Sequence, residues 1–579
     1  MSFRPIKLNE SGKLLLLSLI VGLGAGFSAV LLIKSIGWLQ TLVHYCAGFL
    51  PGKSAYALFP AVGILLSLLI VKYLVKDNIG HGVTQVLLAV SRKESRIKPH
   101  NMWSSLLTSA LTIGFGGSVG AEAPIVYTGT AFGSNVGRWA GVSYRGITTL
   151  LGCGAAGAIA GIFKAPLAGV LFTLEILLFN ISMKSIVPLL ISTLTATVVS
   201  YGFLGQAAVF PAVTEPFKMH NMLMYLVLGG LCAGISLYFT RFTLHLEDRL
   251  KRLENPWLRW LFCAAGLAAL ILLFPPLFGE GYDSIRSLLS GEQLSFSGGV
   301  LRFFSGWGVP VLVLCILLLK VISMTLTNAG GGVGGTFGPT LVVGGLAGFL
   351  FARSFNLLGI DWILPEQNFV LVGMAGVMAG VMQAPLTAIF LIAEITGGYS
   401  LLVPLVLCSV VSYGLTRIWE TYSIYTKRIA QSGDLLTHDN DQAVLTLLQT
   451  RDLIRDKYPR LRADSTLEEV LPLISSSTAA VFPVLDKEGH FCGMLEMDEL
   501  RKLIFDISER KSTLVKDLMH SAPDFVYEDE RMQDVMRKFD NTEVWRLPVI
   551  TRTGIYLGFI SRSRILAAYR DELRLISED

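Results

Sequence analysis

The strongest constraint in this 579-residue sequence is a succession of long stretches without a charged side chain. Between Lys13 and Lys34 lie 20 such residues, between Lys53 and Lys72 18, between Lys218 and Arg241 22, and between Arg259 and Glu280 20. Two stretches are longer: Lys184 to Glu215 encloses 30 residues and Lys320 to Arg353 encloses 32. About 20 apolar residues cross a hydrocarbon core of ~30 Å as one helix. The longest stretches therefore need interruption, which Gly or Pro supplies in 99–137 and 321–352. Interrupted helices survive at membrane depth only where protein or a water-filled cavity pairs the freed backbone groups. The sequence predicts an all-α polytopic membrane part with ten or more helices of unequal length. Arg4, Lys7 and Lys13 ahead of an apolar run imitate a secretory signal. That run exceeds the usual ~7–15 residues and no small-x-small cleavage site follows, so it reads as a first membrane helix.

Charge and glycine divide the chain. From Gln431 onward, 149 residues carry 47 of the 91 charged side chains and only five of the 58 glycines. The tail has 20 Lys/Arg against 27 Asp/Glu, a net of −7, which leaves +12 on the first 430 residues. A basic, glycine-rich membrane part precedes an acidic α/β part, which argues against a secreted protein, a nucleic-acid binder or a purely cytosolic enzyme. Boundaries follow: 1–430 for the membrane part, 431–456 as linker, and 457–579 for the tail. The basic loops Arg92 to Lys98 and Arg249 to Arg259 point to the cytoplasmic side. Of seven cysteines, Cys46, Cys153, Cys232, Cys263, Cys315 and Cys408 lie in apolar surroundings and read as small buried residues rather than a disulfide or metal framework.

The membrane part repeats itself. KAPLAGVLFTLEI (Lys164 to Ile176) aligns with QAPLTAIFLIAEI (Gln383 to Ile395), placing Pro166 on Pro385 and Glu175 on Glu394 at an offset of 219. Upstream, GAEAP (Gly120 to Pro124) aligns with GTFGP (Gly335 to Pro339) at an offset of 215. One duplication explains both, with halves at roughly 14–205 and 220–430. Such halves mark transporter-like folds whose substrate sites form at the repeat interface.

The glycine-rich motifs suit an anion. A helix starting at a Gly-x-x-x-Pro turn offers unpaired N–H groups and the positive end of its dipole. Glycine lets a ligand approach the backbone, and proline suits the first helical turn. A cation path would want acidic rings or carbonyls. The first 430 residues hold only 16 Asp/Glu, of which Glu122, Glu175 and Glu394 sit inside long apolar segments. That scarcity disfavours a divalent-cation channel. A membrane-embedded enzyme is disfavoured too, since neither an HExxH-type motif nor a cluster of His and acids is visible, and no catalytic residue or metal is expected. An ionisable residue inside a membrane segment is a functional candidate by default, which singles out Glu122. Glu175 and Glu394 read as structural.

These motifs resemble those of the CLC family of chloride channels and chloride/proton exchangers, over about residues 14–430. GAEAP stands where that family has Gly-x-Glu-Gly-Pro, GTFGP matches its Gly-x-Phe-x-Pro, and SIYT matches its pore-tyrosine region at Tyr425. The resemblance implies an inverted-repeat, all-helical homodimer with a pore in each subunit. It implies Glu122 as an external gate competing with the anion. Anion contacts would come from His81, Gly82, Ala121, Ala123, Thr336, Phe337 and Tyr425. Three departures stand out. The family's Gly-Ser-Gly-x-Pro reads GHGVT, with His81 for the serine and Thr84 for the proline. Ile176 occupies the place where exchangers often carry an inner proton-accepting glutamate. Ala121 and Ala123 flank Glu122, where a charged residue and glycine are common. The missing inner acid favours passive, gated anion conduction over proton-coupled exchange, with chloride, fluoride or nitrate as the anion.

The tail carries a second repeat. Phe482 to Ile504 aligns without a gap to Leu547 to Tyr569 at an offset of 65, each copy reading strand, turn, strand, helix. It resembles a tandem pair of CBS modules, at about 457–510 and 515–575, which other CLC proteins carry on the cytoplasmic side. Such pairs can bind adenine nucleotides. Here Ser561, Arg562 and Arg564 are the candidates for a phosphate, and a purely structural module is the alternative. No required cofactor is expected.

Overall fold

Where the apolar runs are uninterrupted they form single helices, and where Gly and Pro interrupt them the chain turns back inside the protein. The computed structural model describes residues 10–49, 53–77, 79–80, 82–92, 95–177, 183–210, 214–290, 308–431, 448–503 and 507–577. The chain divides into two units, Met1–Leu435 and Leu436–Asp579.

The first half of unit one holds α1 (Glu10–Gly48), α2 (Phe59–Leu69), α3 (Gly82–Arg92), α4 (Ser104–Gly114), α5 (Glu122–Trp139), α6 (Tyr144–Phe163), α7 (Pro166–Glu175) and α8 (Met183–Leu204). The second holds α9 (Met222–Lys251), α10 (Pro256–Leu273), α11 (Tyr282–Leu289), α12 (Gly308–Ala329), α13 (Phe337–Asn356), α14 (Glu366–Met382), α15 (Pro385–Thr396), α16 (Leu402–Trp419) and α17 (Ile424–Gln431). Among the described residues, nine helices are long and apolar enough to cross a membrane. Each half wraps a buried, glycine-rich helix: α6 lies against α1, α5, α7 and α8, and α14 against α9, α13, α15 and α16.

Matching turns and bonds recur in the two halves. α6 and α14 both end on a left-handed residue, Lys164 (φ +57°) and Gln383 (φ +54°), immediately before the Ala-Pro that opens the next helix. Gly116 (φ +97°) and Gly331 (φ +106°) make equivalent turns, each followed by a matching bond: Gly117 N–H to Thr112 O at 2.8 Å and Gly332 N–H to Thr327 O at 3.0 Å. Only glycine takes such a φ without steric cost. The two halves are inverted. Helices α7 and α15 run antiparallel, and each is capped by the last acidic residue of the other. Glu394 accepts from Leu167 N–H (3.1 Å) and Ala168 N–H (2.9 Å). Glu175 accepts from Leu386 N–H (3.0 Å), Thr387 N–H (2.7 Å) and the Thr387 hydroxyl (2.7 Å). Among the described residues these carboxylates pair neither with each other nor with a cation; each satisfies the orphan N–H groups of the opposite helix.

Four of the six cysteines in apolar sequence, Cys153, Cys232, Cys263 and Cys408, are buried; Cys315 is half-buried and Cys46 is exposed, a correction to the expectation for those two. All seven are free thiols.

Unit two is a pair of matching modules. In the first, β1 (Leu461–Arg462) pairs parallel to β2 (Val481–Leu485), which pairs antiparallel to β3 (Phe491–Glu496). In the second, β4 (Val526–Tyr527), β5 (Arg546–Ile550) and β6 (Tyr556–Ser561) repeat the order at the same offset of 65. Gly489 and Gly554 turn the hairpins at φ +89° and +87°. The hairpin tips pair with each other, Phe491 N–H to Gly554 O at 3.1 Å and Tyr556 N–H to Gly489 O at 3.2 Å, and Phe491 stacks on Tyr556. Residues 449 and 455 bridge to Arg531 and Phe559 of the second module.

Candidate functional site

Both interruptions expected in 99–137 and 321–352 fall at residues 115–121 and 330–336, and the structure brings them together. Gly120 and Gly335, equivalent residues of the two repeats, form an antiparallel bridge, with N–H···O bonds of 3.0 and 2.7 Å in the two directions. The bridge joins the starts of α5 and α13, so two helix N-termini meet in the interior. The backbones approach closely enough to require glycine: a Cβ on Gly335 would lie 2.8 Å from the Ala123 Cβ. A Cβ on Gly82, the first residue of α3, would lie 2.4 Å from Ala123 O, so a third N-terminus abuts the first turn of α5. The fourth belongs to α17, where the Tyr425 hydroxyl accepts from Thr336 Oγ1 at 3.3 Å. Thr336 is the N-cap residue of α13, and both it and Tyr425 are buried. Phe337 is buried as well, its ring 5.6 Å from that of Phe163 and 6.2 Å from that of Phe172.

Four helix starts converging in an apolar domain concentrate N–H donors and positive dipole ends where few fixed charges compete. Glu122 occupies this junction. It is 1% exposed, and its carboxylate turns back over the α13 start. Oε2 accepts from Gly338 N–H at 3.2 Å, and Oε1 accepts from the Tyr282 hydroxyl. A carboxylate on a helix N-terminus is an internal stand-in for a bound anion.

Of the residues expected at the site, Gly82, Ala121, Glu122, Ala123, Thr336, Phe337 and Tyr425 lie at this junction. His81 lies outside the described residues. Thr84 is buried, and its hydroxyl has no hydrogen-bond partner among the described residues. Ile176 is 3% exposed, an apolar residue in a closed surrounding.

Two charged residues at the edges of apolar runs also come to this part of the fold. Glu280, at the edge of its run, lies beside Glu122 and the backbone of Ala121. Lys320, which bounds another run, is completely buried and donates to Ser118 Oγ (2.7 Å) and Gly279 O (2.8 Å). Together with Tyr282 these are the site residues that sequence reasoning missed. Nothing local marks them, because they come to the junction through tertiary folding: the Tyr282–Glu122 and Lys320–Ser118 bonds span 160 and 202 positions.

In unit two, a cavity of about 810 Å³ lies between the modules, lined by residues that include Glu496, Asp498, Arg501, Trp545, Arg546 and Ser561. Of the three phosphate candidates, Ser561 lines it. Arg562 is engaged by Asp540 at 2.6 Å, and Arg564 reaches Asp452 O at 3.5 Å, so neither lines the cavity.

Comparison with known proteins agrees with this architecture. The profile described as voltage gated chloride channel matches residues 62–417. The chain belongs to the voltage-gated chloride channel (CLC) family. It is a multi-pass membrane protein, and its tail carries two CBS domains, matched over residues 451–506 and 515–571. The H(+)/Cl(-) exchange transporter ClcA of Salmonella arizonae is 26% identical over 457 residues, covering 74% of this chain and 90% of that one. Two solved structures share the CLC fold. A slow cyanobacterial Cl-/H+ antiporter is 23% identical with a TM-score of 0.63, covering 74% of this chain and 99% of that one. A eukaryotic CLC transporter is 19% identical with a TM-score of 0.61, covering 95% of this chain and 98% of that one.

Proposed function

We propose that this CLC protein passes chloride or a similar small anion, fluoride and nitrate included, through the junction of α3, α5, α13 and α17, with Glu122 as its external gate. The observation that carries the reading is the Glu122 carboxylate lying over the first turn of α13, bound to Gly338 N–H. It uses backbone donors that an anion also needs, so one excludes the other. His81, Gly82, Ala121, Ala123, Thr336 and Phe337 line the anion's path in this reading, and the Tyr425 hydroxyl faces it from α17. The buried Thr84 hydroxyl, unpartnered among the described residues, is a further donor near the α3 start.

Passive conduction is the favoured mode. Stoichiometric proton coupling needs an inner acceptor, and the buried Ile176 offers none. Proton-coupled exchange is the second reading, favoured by the similarity to a named exchange transporter. Full-length protein in liposomes under an imposed chloride gradient decides between them. The passive reading expects chloride, fluoride or nitrate to flow without moving protons; uphill proton movement driven by chloride would sink it. We further propose a homodimer in the cell membrane with the CBS pair in the cytoplasm. Ser561 at the cavity between the modules supports an adenine-nucleotide site in which Arg562 and Arg564 would have to be released from their present partners. Calorimetric titration of the protein with AMP and ATP tests it, and silence with both returns the pair to a structural role.

A further inference from the structure

The segment 278–282, Phe-Gly-Glu-Gly-Tyr, lies across the turn that precedes α5. Gly279 N–H donates to Gly116 O at 2.9 Å. The Phe278 ring fills the space beside Gly116, where a Cβ would meet it at 2.1 Å. Lys320 ties both strands of this crossing to α12 through its bonds to Ser118 Oγ and Gly279 O, and Ser118 Oγ meets Ser323 Oγ at 2.9 Å. A buried amine is costly unless its donors are used, and these two bonds hold the crossing to α12 as a platform. From it α11 begins. The left-handed Gly281 (φ +94°) places Tyr282 at the first helical position. The Tyr282 ring is held edge-on by Phe210 at 5.2 Å between centroids, and Phe210 N–H is itself fixed to Ile395 O at 3.0 Å. The hydroxyl so positioned donates to Glu122 Oε1.

We propose that Tyr282 is a positioning residue for the gate: its phenol holds the Glu122 carboxylate over the start of α13 and so sets how strongly that carboxylate competes with the anion. The inference rests on the reading of Glu122 as gate. Gly338 N–H can serve a carboxylate or an anion alike and therefore favours neither. The phenol, fixed by Phe210 and by the platform around Lys320, supplies the second bond that gives the tethered carboxylate its advantage.

The test is a double-mutant cycle on the full-length protein, read as chloride affinity by titration calorimetry in detergent and as chloride efflux from liposomes. Tyr282→Phe keeps the ring and removes only the donor. Loss of one hydrogen bond to a charged acceptor predicts about tenfold tighter apparent chloride binding and faster efflux. In a Glu122→Ala background the same substitution is expected to change nothing, because there is no carboxylate to hold. An effect of Tyr282→Phe that persists in Glu122→Ala would overturn the proposal, making the phenol an anion ligand in its own right. No effect in the parent protein would overturn it as well. If Glu122→Ala alone leaves affinity and efflux untouched, it is the gate reading that fails.

Discussion

Glu175→Ala should cost the membrane domain somewhat more stability than Glu394→Ala, because both carboxylates cap the facing helix across one interface and Glu175 alone also accepts the Thr387 hydroxyl. Each accepts two backbone N–H groups at 2.7–3.1 Å from the first turn of the facing helix. A hydrogen bond to a charged group contributes about 1.5–3 kcal/mol. Both residues are half-buried, so the lower end applies, giving roughly 3 kcal/mol for the two backbone bonds of either clamp, or about two orders of magnitude in the folding equilibrium, with the Thr387 hydroxyl adding to the Glu175 side. Glutamine retains one acceptor oxygen and should lose about half of that. Because both clamps close the same α7–α15 contact, the double variant should fall short of the sum. Unfolding of a membrane protein in detergent is commonly irreversible, so the appropriate measurement is the rate at which monodisperse protein disappears on heating. The glutamine variants, once reconstituted, should conduct anions per folded molecule as the parent does. Parent-like heat resistance in Glu175→Gln, combined with altered anion flux or proton movement, would refute the structural assignment. It would place Glu175 in the transport path beside Ile176.

Other consequences follow from the junction. Glu122→Gln removes the competing charge, so anion flux should become high and insensitive to pH; full parent-like pH dependence would count against the gate. In Gly120→Ala the new Cβ would lie 2.1 Å from Glu122 Oε2 and 2.8 Å from Gly338 N. The carboxylate must leave its place, and liposome flux should move toward that of Glu122→Gln. Gly348→Ala would drive a Cβ to 1.8 Å from Phe369 O, wedging α13 from α14. Overpacking of this kind costs about 1–3 kcal/mol, read as faster heat inactivation in detergent. His81→Ser should alter selectivity among chloride, nitrate and fluoride and the response to pH near neutrality; unchanged values in both would place the imidazole away from the anion.

Much of the site was legible because duplication writes the same instruction twice. The offsets of 215 and 219 aligned Gly120 with Gly335 and Glu175 with Glu394 before any geometry was known. Apolar runs broken by Gly and Pro identified the two places where helices start inside the protein. What could not be read was which groups come to the junction from elsewhere. Tyr282 begins a short helix at the edge of an apolar run, and Lys320 looks like the charged boundary of another. Their bonds to Glu122, Ser118 and Gly279 span 160, 202 and 41 positions. Side-chain hydrogen bonds at such separations leave no periodicity behind.

The sequence by itself determined that this chain lies in a membrane, that it is duplicated, that its helix starts favour an anion and that Glu122 is the carboxylate to examine. Those properties follow from residue type and spacing, since hydropathy, glycine turns and Pro at a helix start act over a few neighbouring positions. Only the tertiary structure decided that the equivalent glycines pair with each other and that Glu175 and Glu394 exchange helix caps. It likewise decided that the Glu122 carboxylate lies between a backbone N–H of α13 and a phenol from α11. The physical reason is that an inverted repeat brings equivalent residues face to face at its axis. Contacts made there are set by how the two halves pack, a quantity no local segment encodes.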